Sequence, residues 1–187
     1  SDDESQGSES KEPLLKDEID LLSEIDFTDM HKIEWLKHDP KILKLLHAPI
    51  LVSTIDYLIP ATEGGRGGRQ IAPMLRLLTS DLVLDEPDDF SSADFPALCR
   101  LVNWAGMLGS KVLISTATIM PCEAEALFEA YQSGRAQYVK ANCENGTQNQ
   151  VCCAWFDECN KPIDRLITNV DEFKKEHQDY AARRNRE

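Results

Sequence analysis

The sequence lacks the features of membrane and secreted proteins. No apolar run approaches about 20 residues, the length that a membrane-spanning helix needs, and no signal peptide is present. The six cysteines include no C-x-x-C pair. We therefore expect a cytoplasmic protein with reduced thiols and no membrane partner. Its 187 residues fit one ordinary domain or a piece of a larger protein.

Two signatures of nucleotide and nucleic-acid enzymes are also absent. The phosphate-binding pattern G-x-x-x-x-G-K-[ST], the P-loop, occurs nowhere. The glycine-rich stretch 61–70 (ATEGGRGGRQ) lacks its Lys-Ser/Thr pair and does not connect a buried strand to a helix. The four histidines are scattered and form no histidine–aspartate cluster. This chain alone therefore has no evident cradle for the β- and γ-phosphates of a nucleotide and no nuclease centre.

Basic residues are outnumbered, with 20 Lys and Arg against 33 Asp and Glu, for a net charge of −13. Residues 1–29 hold eleven acidic residues and two lysines, a net charge of −9, so the remaining chain carries only −4. We interpret residues 1–37 as an acidic, partly disordered insertion. The absence of a basic stripe argues against tight nucleic-acid binding by this chain alone.

The rest of the chain alternates between apolar runs and amphipathic stretches. Continuous, β-branched runs predict strands buried on both faces, at 49–59, 80–85 and 111–116. Periodicity, prolines and glycines predict helices at 71–79, at 94–108 and from Pro121 to the vicinity of Gly134. The order strand, helix, strand, helix predicts an α/β fold in which helices flank a parallel sheet.

The pattern is weaker beyond residue 140. The run 151–156 predicts a strand, and Thr168-x-x-Asp171 resembles a capping box before a last helix. Two interpretations of the cysteines remain open. A zinc site could form from Cys143, Cys152 or Cys153, and Cys159, or the thiols could be reduced and partly buried.

Acidic side chains follow the second predicted strand, in the stretch LVLDEPDDF at 82–90. Ligands of parallel α/β sheets bind beyond the carboxyl ends of the strands. Asp85 is suited to hold Mg²⁺ through water, because Mg²⁺ gives up its waters reluctantly. Glu86 is suited to orient and polarise a water that attacks a γ-phosphate. The alternative is a solvated acidic turn that caps the helix at 94.

Small hydroxyl residues follow the third predicted strand, at Ser115-Thr116-Ala117-Thr118. Such side chains can hydrogen-bond carboxylates on a neighbouring strand and relay a change there. Alone, this stretch would be interpreted as an ordinary β-turn. An acidic DExD element followed by a Thr-Ala-Thr element is much more specific than either part.

These elements resemble those of superfamily 2 helicases. Asp85-Glu86-Pro87-Asp88 resembles motif II, the DExD box, and Thr116-Ala117-Thr118 resembles motif III. Ser53-Thr54-Ile55-Asp56 resembles the Thr-Ile-Asp element between the P-loop and motif II of CRISPR-associated helicase–nucleases. The stretches 47–90 and 94–116 are most similar to the type I-F enzymes, in which a helicase–nuclease is fused to an integration-complex subunit.

The resemblance implies a partial RecA-like domain that lacks its P-loop. Residues 38–140 would be the later part of the first RecA-like domain, and 141–187 would lead towards the second. The parent protein would be an ATP-dependent single-stranded DNA translocase with a linked nuclease, active in CRISPR interference against viruses. The fragment alone would not turn over ATP. The competing hypothesis is a non-catalytic interaction module in which an acidic arm on an α/β core docks a partner.

The resemblance also implies cofactors, partners and residue roles. The cofactors would be ATP and Mg²⁺. The partners would be single-stranded DNA, an RNA-guided surveillance complex, CRISPR integration proteins and phage-encoded inhibitors. Asp88 with the Thr116-Ala117-Thr118 motif would couple hydrolysis to movement. The residues expected to contact DNA are Thr54, Asp56, Arg66 and Arg69.

Overall fold

The computed structural model describes residues 48–62, 70–144 and 146–184. The predicted insertion at 1–37 and the predicted DNA contacts Arg66 and Arg69 lie outside the described residues. The regular elements, in chain order, are α1 (Ile55–Leu58), a 3₁₀ turn (Ile59–Thr62), α2 (Ile71–Thr79), β1 (Leu82–Asp85), a second 3₁₀ turn (Pro87–Asp89), α3 (Phe95–Leu108), β2 (Val112–Ser115), α4 (Pro121–Asn142), β3 (Val151–Trp155), β4 (Ile163–Ile167) and α5 (Val170–Arg184). None of these described helices is both long and apolar enough to cross a membrane.

A two-stranded parallel sheet, formed by β1 and β2, organises the part of the described chain that precedes the hairpin. β1 pairs with β2 so that Leu82 lies opposite Val112 and Asp85 lies opposite Ser115. The crossover between them is α3, which ends at Gly109 in the left-handed region at φ 82°. Glycine adopts this backbone region without the steric cost that a Cβ atom brings. The predicted α/β order of strand, helix and parallel strand is confirmed.

The prediction that these strands are buried on both faces is wrong for the described chain. Leu82 and Leu84 pack into a core beneath α3, whereas Val83 is 60% exposed and Leu113 is 42% exposed. An apolar run shows only that a strand is able to be buried on both faces. Actual burial also requires another helix or strand that packs against each face. The described elements cover only one face.

The strand predicted at 49–59 is also absent. Residues 51–54 have no regular structure, Ile50 is 81% exposed and Val52 is 90% exposed. The next residues form α1, whose Ile55 and Leu58 are three positions apart and pack against the core. A β-strand needs a hydrogen-bonded neighbour, and no described strand pairs with this segment. Ile55 and Leu58 therefore pack against the core as residues of a helical turn rather than of a strand.

Two hydrophobic cores share α4. The sheet core lies between the parallel sheet and the helices, and its members are Ala61, Leu77, Leu82, Leu84, Leu98, Leu101, Val102, Ala105 and Leu127. The hairpin core lies beside it, with members Ala124, Phe128, Val151, Ile167 and Phe173. Helix α4 supplies Leu127 to the sheet core and Phe128 to the hairpin core. Because neighbouring residues point in different directions on a helix, α4 joins the two units.

The helices α3 and α4 touch at two glycines. A Cβ atom on Gly134 would lie 1.9 Å from the Asn103 carbonyl oxygen, and one on Gly106 would lie 2.5 Å from the Tyr131 carbonyl oxygen. Near the same contact, the Asn103 side chain donates to the Ala130 carbonyl at 2.9 Å. Gly134 was predicted to lie near the end of its helix, but α4 continues to Asn142. The glycine allows close helix packing instead.

The C-terminal part is an antiparallel hairpin covered by α5. β3 pairs with β4, a strand that the sequence pattern did not reveal, with Val151 opposite Ile167. On α5, the Phe173 ring stacks on Phe128 with centroids 4.5 Å apart. The helix cap also differs from the predicted Thr168-x-x-Asp171. Asn169 caps α5, because its side-chain oxygen accepts from the Glu172 N–H at 2.9 Å.

Replacement of Gly134 by alanine should destabilise the protein strongly. The added methyl group would meet backbone atoms of α3, so the two helices would have to separate. We expect a loss of about 2 kcal/mol or more, even though alanine favours a helix over glycine. Chemical unfolding of Gly134→Ala beside Ser133→Ala, an exposed position of the same helix, measures this. Equal stability of the two variants would contradict the close contact.

Stability should fall as the pH is lowered from 7 to 5, because of His177. Its Nδ1 accepts a hydrogen bond from Trp155 Nε1 at 3.1 Å, and burial lowers the pKa of His177. A base with a depressed folded-state pKa binds protons more readily when unfolded, so acid favours unfolding as pH falls through the ordinary histidine value. His177→Phe keeps a ring against Phe173 but cannot titrate. Chemical unfolding at both pH values should show a smaller pH dependence in this variant; an equal dependence contradicts the assignment.

Candidate functional site

The two motifs singled out in the sequence lie at adjacent strand ends. Asp85 is the last residue of β1 and pairs with Ser115, the last residue of β2. The Glu86 N–H extends this ladder by donating to the Ser115 carbonyl at 2.8 Å. Because the strands are parallel, both motifs leave the sheet at its carboxyl edge, where ligands of such sheets bind. We call the group Asp85, Glu86, Asp88, Thr116 and Thr118 the strand-end site.

Two threonine hydroxyls bind one aspartate across this edge. Thr116 Oγ1 donates to Asp88 Oδ1 at 2.6 Å, and Thr118 Oγ1 donates to Asp88 Oδ2. The Thr118 N–H also points at Thr116 Oγ1, at 3.3 Å. The hydrogen bonds from Thr116 and then Thr118 lower the pKa of Asp88. The 115–118 stretch is thus more than an independent turn, and exposed Ala117 provides a small spacer between the two hydroxyls.

The backbone of Glu86 turns the chain sharply after β1. Its φ of 48° and ψ of 53° are left-handed, and Glu86 is the sole non-glycine residue with positive φ among those the structure describes. The buried Pro87 follows, and the Asp89 N–H donates to the Glu86 carbonyl at 3.1 Å. This turn carries Asp88 back towards β2. An acidic turn is one of the two interpretations of this stretch, but the sequence gives no sign of a left-handed glutamate.

The acidic stretch is a largely solvated turn, as the alternative predicts, but it does not cap α3. Asp94 occupies the cap position of α3, and Ser91 Oγ donates to Asp94 Oδ2 at 2.6 Å. The carboxylates of Asp85 and Glu86 are exposed and make no side-chain hydrogen bond or ion pair with another residue of the described chain. They face solvent at the carboxyl edge of the sheet rather than supporting the helix.

The donor set at this edge suits Mg²⁺ held largely by water. Carboxylate oxygens are hard ligands, and Mg²⁺ commonly uses one or two of them together with substrate phosphates. Both oxygens of Asp88 accept threonine hydroxyls, whereas Asp85, Glu86 and Asp89 are exposed; of these three, Asp85 and Glu86 lie directly at the end of β1. Within residues 48–62, 70–144 and 146–184, no group of three or more His, Cys, Asp or Glu side chains is placed to hold a metal ion. A contact through one carboxylate and water does not require such a group.

The cysteines proposed as zinc ligands are divided between the surface and the interior. Cys143, Cys152 and Cys159 are exposed, whereas Cys153 is half-buried against the hairpin core. Burial raises the pKa of Cys153 to about 12, which keeps this thiol protonated. Zinc binds cysteine as thiolate, so Cys153 is poorly suited as a ligand.

Of the four residues proposed to contact DNA, the structure describes two. Thr54 holds the position before α1, where its hydroxyl makes no capping hydrogen bond, and Asp56 lies in the first turn of α1. Both side chains are exposed. No described hydrogen bond joins either of them to the strand-end site. The available hydroxyl of Thr54 is the feature best suited to a phosphate oxygen.

The left-handed backbone of Glu86 should cost stability that asparagine recovers. Both Glu86→Asn and Glu86→Gln remove the negative charge, but asparagine tolerates the left-handed region better than glutamine. We expect Glu86→Asn to be more stable than Glu86→Gln by about 1 kcal/mol, as measured by chemical unfolding. The glutamine variant controls for charge repulsion at the acidic edge. A glutamine variant as stable as the asparagine variant would show that the backbone is not strained.

Two curated proteins are similar to this chain over most of its length. A CRISPR-associated nuclease/helicase Cas3 of subtype I-F/YPEST from Pectobacterium atrosepticum is 55% identical over 152 residues, 81% of this chain and 14% of the relative. The protein of the same name from Pseudomonas aeruginosa is 46% identical over 181 residues, 97% of this chain and 17% of the relative. No protein-family model matches. The chain therefore resembles a segment of subtype I-F nuclease/helicases and spans less than a fifth of their length.

Proposed function

We propose that this chain is part of the motor of an ATP-dependent single-stranded DNA translocase with a linked nuclease, acting in CRISPR interference. The observation that carries the proposal is the contact of Thr116 and Thr118 with Asp88 across two parallel strand ends. Both relatives are named as nuclease/helicases, and these names supply the class of activity. The chain spans 14% and 17% of those relatives, so the activity is proposed for the larger protein.

The architecture supports a partial RecA-like domain in this proposal. β1, α3 and β2 form a parallel strand–helix–strand unit with acidic residues at its carboxyl edge. Residues 38–140 would belong to the first RecA-like domain, and 141–187 would lead towards the second. The boundary at 140 falls beside the end of α4 at Asn142, where the sheet unit gives way to the hairpin. The sequence contains no G-x-x-x-x-G-K-[ST], so another part of the parent would supply the phosphate cradle.

The accessible carboxylates would carry the chemistry of hydrolysis. Bound Mg²⁺ would neutralise charge on the ATP phosphates. Asp85 would hold that ion through water at the end of β1, because its carboxylate is exposed and accessible there. Glu86 would orient and polarise the attacking water, and the exposed side chain is within reach of solvent on the same edge. Without the phosphate cradle, the chain alone would not turn over ATP.

Asp88 would couple hydrolysis to movement rather than bind the metal ion. Both of its oxygens accept threonine hydroxyls, so a shift of the segment after β1 must move or break these hydrogen bonds. Thr116 and Thr118 belong to the connection between β2 and α4. A change beside the nucleotide would therefore reach α4, through the Thr116-Ala117-Thr118 motif.

Single-stranded DNA would be gripped mainly through its phosphates. The exposed hydroxyl of Thr54 is the described group best suited to this role, and Asp56, Arg66 and Arg69 stay predictions. The sequence has no basic stripe that would bind phosphates strongly, so other parts of the parent would contribute. An RNA-guided surveillance complex, CRISPR integration proteins and phage-encoded inhibitors are the proposed protein partners.

Replacement of Glu86 by glutamine in the full-length parent tests this function. Glutamine keeps the size and hydrogen-bonding ability of the side chain but cannot polarise water as a carboxylate does. We expect DNA-stimulated ATP hydrolysis to fall by about 100-fold or more. ATP binding, measured by isothermal titration calorimetry, should be retained.

The matched control is Asp89→Asn in the same parent. Asp89 is exposed, ends the 3₁₀ turn that follows Glu86 and accepts no hydroxyl from Thr116 or Thr118. The Asp89→Asn substitution removes one negative charge, as Glu86→Gln does, and should leave ATP turnover nearly unchanged. Normal turnover in the Glu86→Gln protein would remove Glu86 from the mechanism and favour the non-catalytic interaction module.

A further inference from the structure

Among the described residues, two partly buried side chains pack against both hydrophobic cores, one near each end of β2. Tyr131 on α4 contacts both cores, and its hydroxyl donates to the Ser110 carbonyl, just before β2, at 3.0 Å. Ile119 also contacts both cores, and it follows the strand end just after Thr118. The hairpin unit is therefore attached to the parallel sheet at the start of β2 and again beyond its end.

Ile119 is the single apolar anchor of an otherwise exposed connection. Between Thr116 and the start of α4, the side chains of Ala117, Thr118 and Met120 are exposed, whereas Ile119 is half-buried. The local hydrogen bond from the Thr118 N–H to Thr116 Oγ1 is long, at 3.3 Å. The connection is thus held at one side by Asp88 and at the other by the packing of Ile119 and by the Met120 N–H, which donates to Glu123 Oε2 at 3.2 Å.

The two hydrogen bonds to Asp88 require that the backbone of Thr116–Thr118 is fixed by packing such as that of Ile119. Two hydroxyls must meet the two oxygens of one carboxylate at the same time, so the backbone between them must be ordered. The hydrogen bond from Thr118 is exposed and the one from Thr116 is only partly buried, so both compete with water and contribute modest net free energy. Burial of a branched aliphatic side chain in two cores supplies the missing stabilisation, because it fixes the backbone one residue after Thr118.

We propose that Ile119 is a positioning residue that holds Thr116 and Thr118 on Asp88 and thereby links the strand-end site to the hairpin unit. Ile119 itself touches no reacting group. Its consequence for ATP turnover rests on the proposed function, but its effect on the two threonines follows from the packing alone. The proposal therefore has a structural test that does not require ATP hydrolysis.

The structural test compares Ile119→Ala with Val170→Ala in the full 187-residue chain. Val170 packs against the hairpin core but belongs to α5 rather than to the connection between β2 and α4. Both variants should unfold at lower denaturant concentration. In Ile119→Ala alone, NMR methyl order parameters of Thr116 and Thr118 should fall below their wild-type values. The pKa of Asp88 should move up towards its ordinary range in the same variant.

Two further variants provide reference values for the Asp88 pKa and for the order of the two threonines. Thr118→Val removes one hydroxyl donor and shows how far the pKa of Asp88 moves when that hydrogen bond is lost. Ile119→Val keeps a branched side chain and should restore most of the order of both threonines. Threonine order parameters and an Asp88 pKa that stay at wild-type values in folded Ile119→Ala would overturn the proposal. Equal changes in Val170→Ala would overturn it too, by showing a general effect of destabilisation.

Kinetics in the full-length parent test the link to turnover. Ile119→Ala should lower the kcat of DNA-stimulated ATP hydrolysis by about tenfold or more and leave the KM for ATP unchanged, because ATP binding does not use this connection. Ile119→Val should recover most of kcat. Unchanged kcat with mobile threonines would overturn the link to turnover. Failure of the proposed function would be recognised by a different result, namely normal ATP turnover in the Glu86→Gln parent.

Discussion

The carboxylate of Asp88, bound by two threonine hydroxyls, is the contact on which the arrangement of the site depends. It joins the segment after β1 to the segment after β2, and it exists only because the strands are parallel and in a register that places Asp85 opposite Ser115. A shift of one residue in either strand would separate the partners. The left-handed turn at Glu86 completes the geometry by directing Asp88 towards the neighbouring strand end. Sheet register and one strained residue thus determine which carboxylates remain accessible at the edge.

The second unit of the fold is tied to this contact through α4. That helix begins at Pro121, three residues after Thr118, and supplies side chains to both cores. Aromatic stacking between α4 and α5 and the hydrogen bond from Trp155 to His177 hold the hairpin on the same helix. The hairpin is therefore not an independent appendage, because it shares its main support with the parallel sheet.

The local sequence predicted the β1–α3–β2 unit well and the segments on either side of it less well. Helix α3, the two parallel strands and the meeting of the acidic and hydroxyl motifs follow from periodicity, glycine at the helix end and the rule for parallel strand ends. The 49–59 strand failed because a strand depends on a neighbour that a local pattern does not reveal. Burial on both faces failed for the same reason at Val83 and Leu113. The left-handed Glu86 and the role of Gly134 could not be predicted, because each depends on backbone placed by distant residues.

The glycine contact between α3 and α4 has a mechanical consequence. Gly134 lies about 20 Å along the axis from the start of α4, given a rise of about 1.5 Å per residue. Closely packed backbones resist sliding, but they can serve as a pivot about which the helix tilts. A tilt of only about 5° there would displace the start of α4 by roughly 2 Å, which exceeds the tolerance of a hydrogen bond. Any rotation of α4 about Gly106 and Gly134 would therefore move the start of α4, and the connection that carries Thr116 and Thr118, much further than it moves the glycine contact itself.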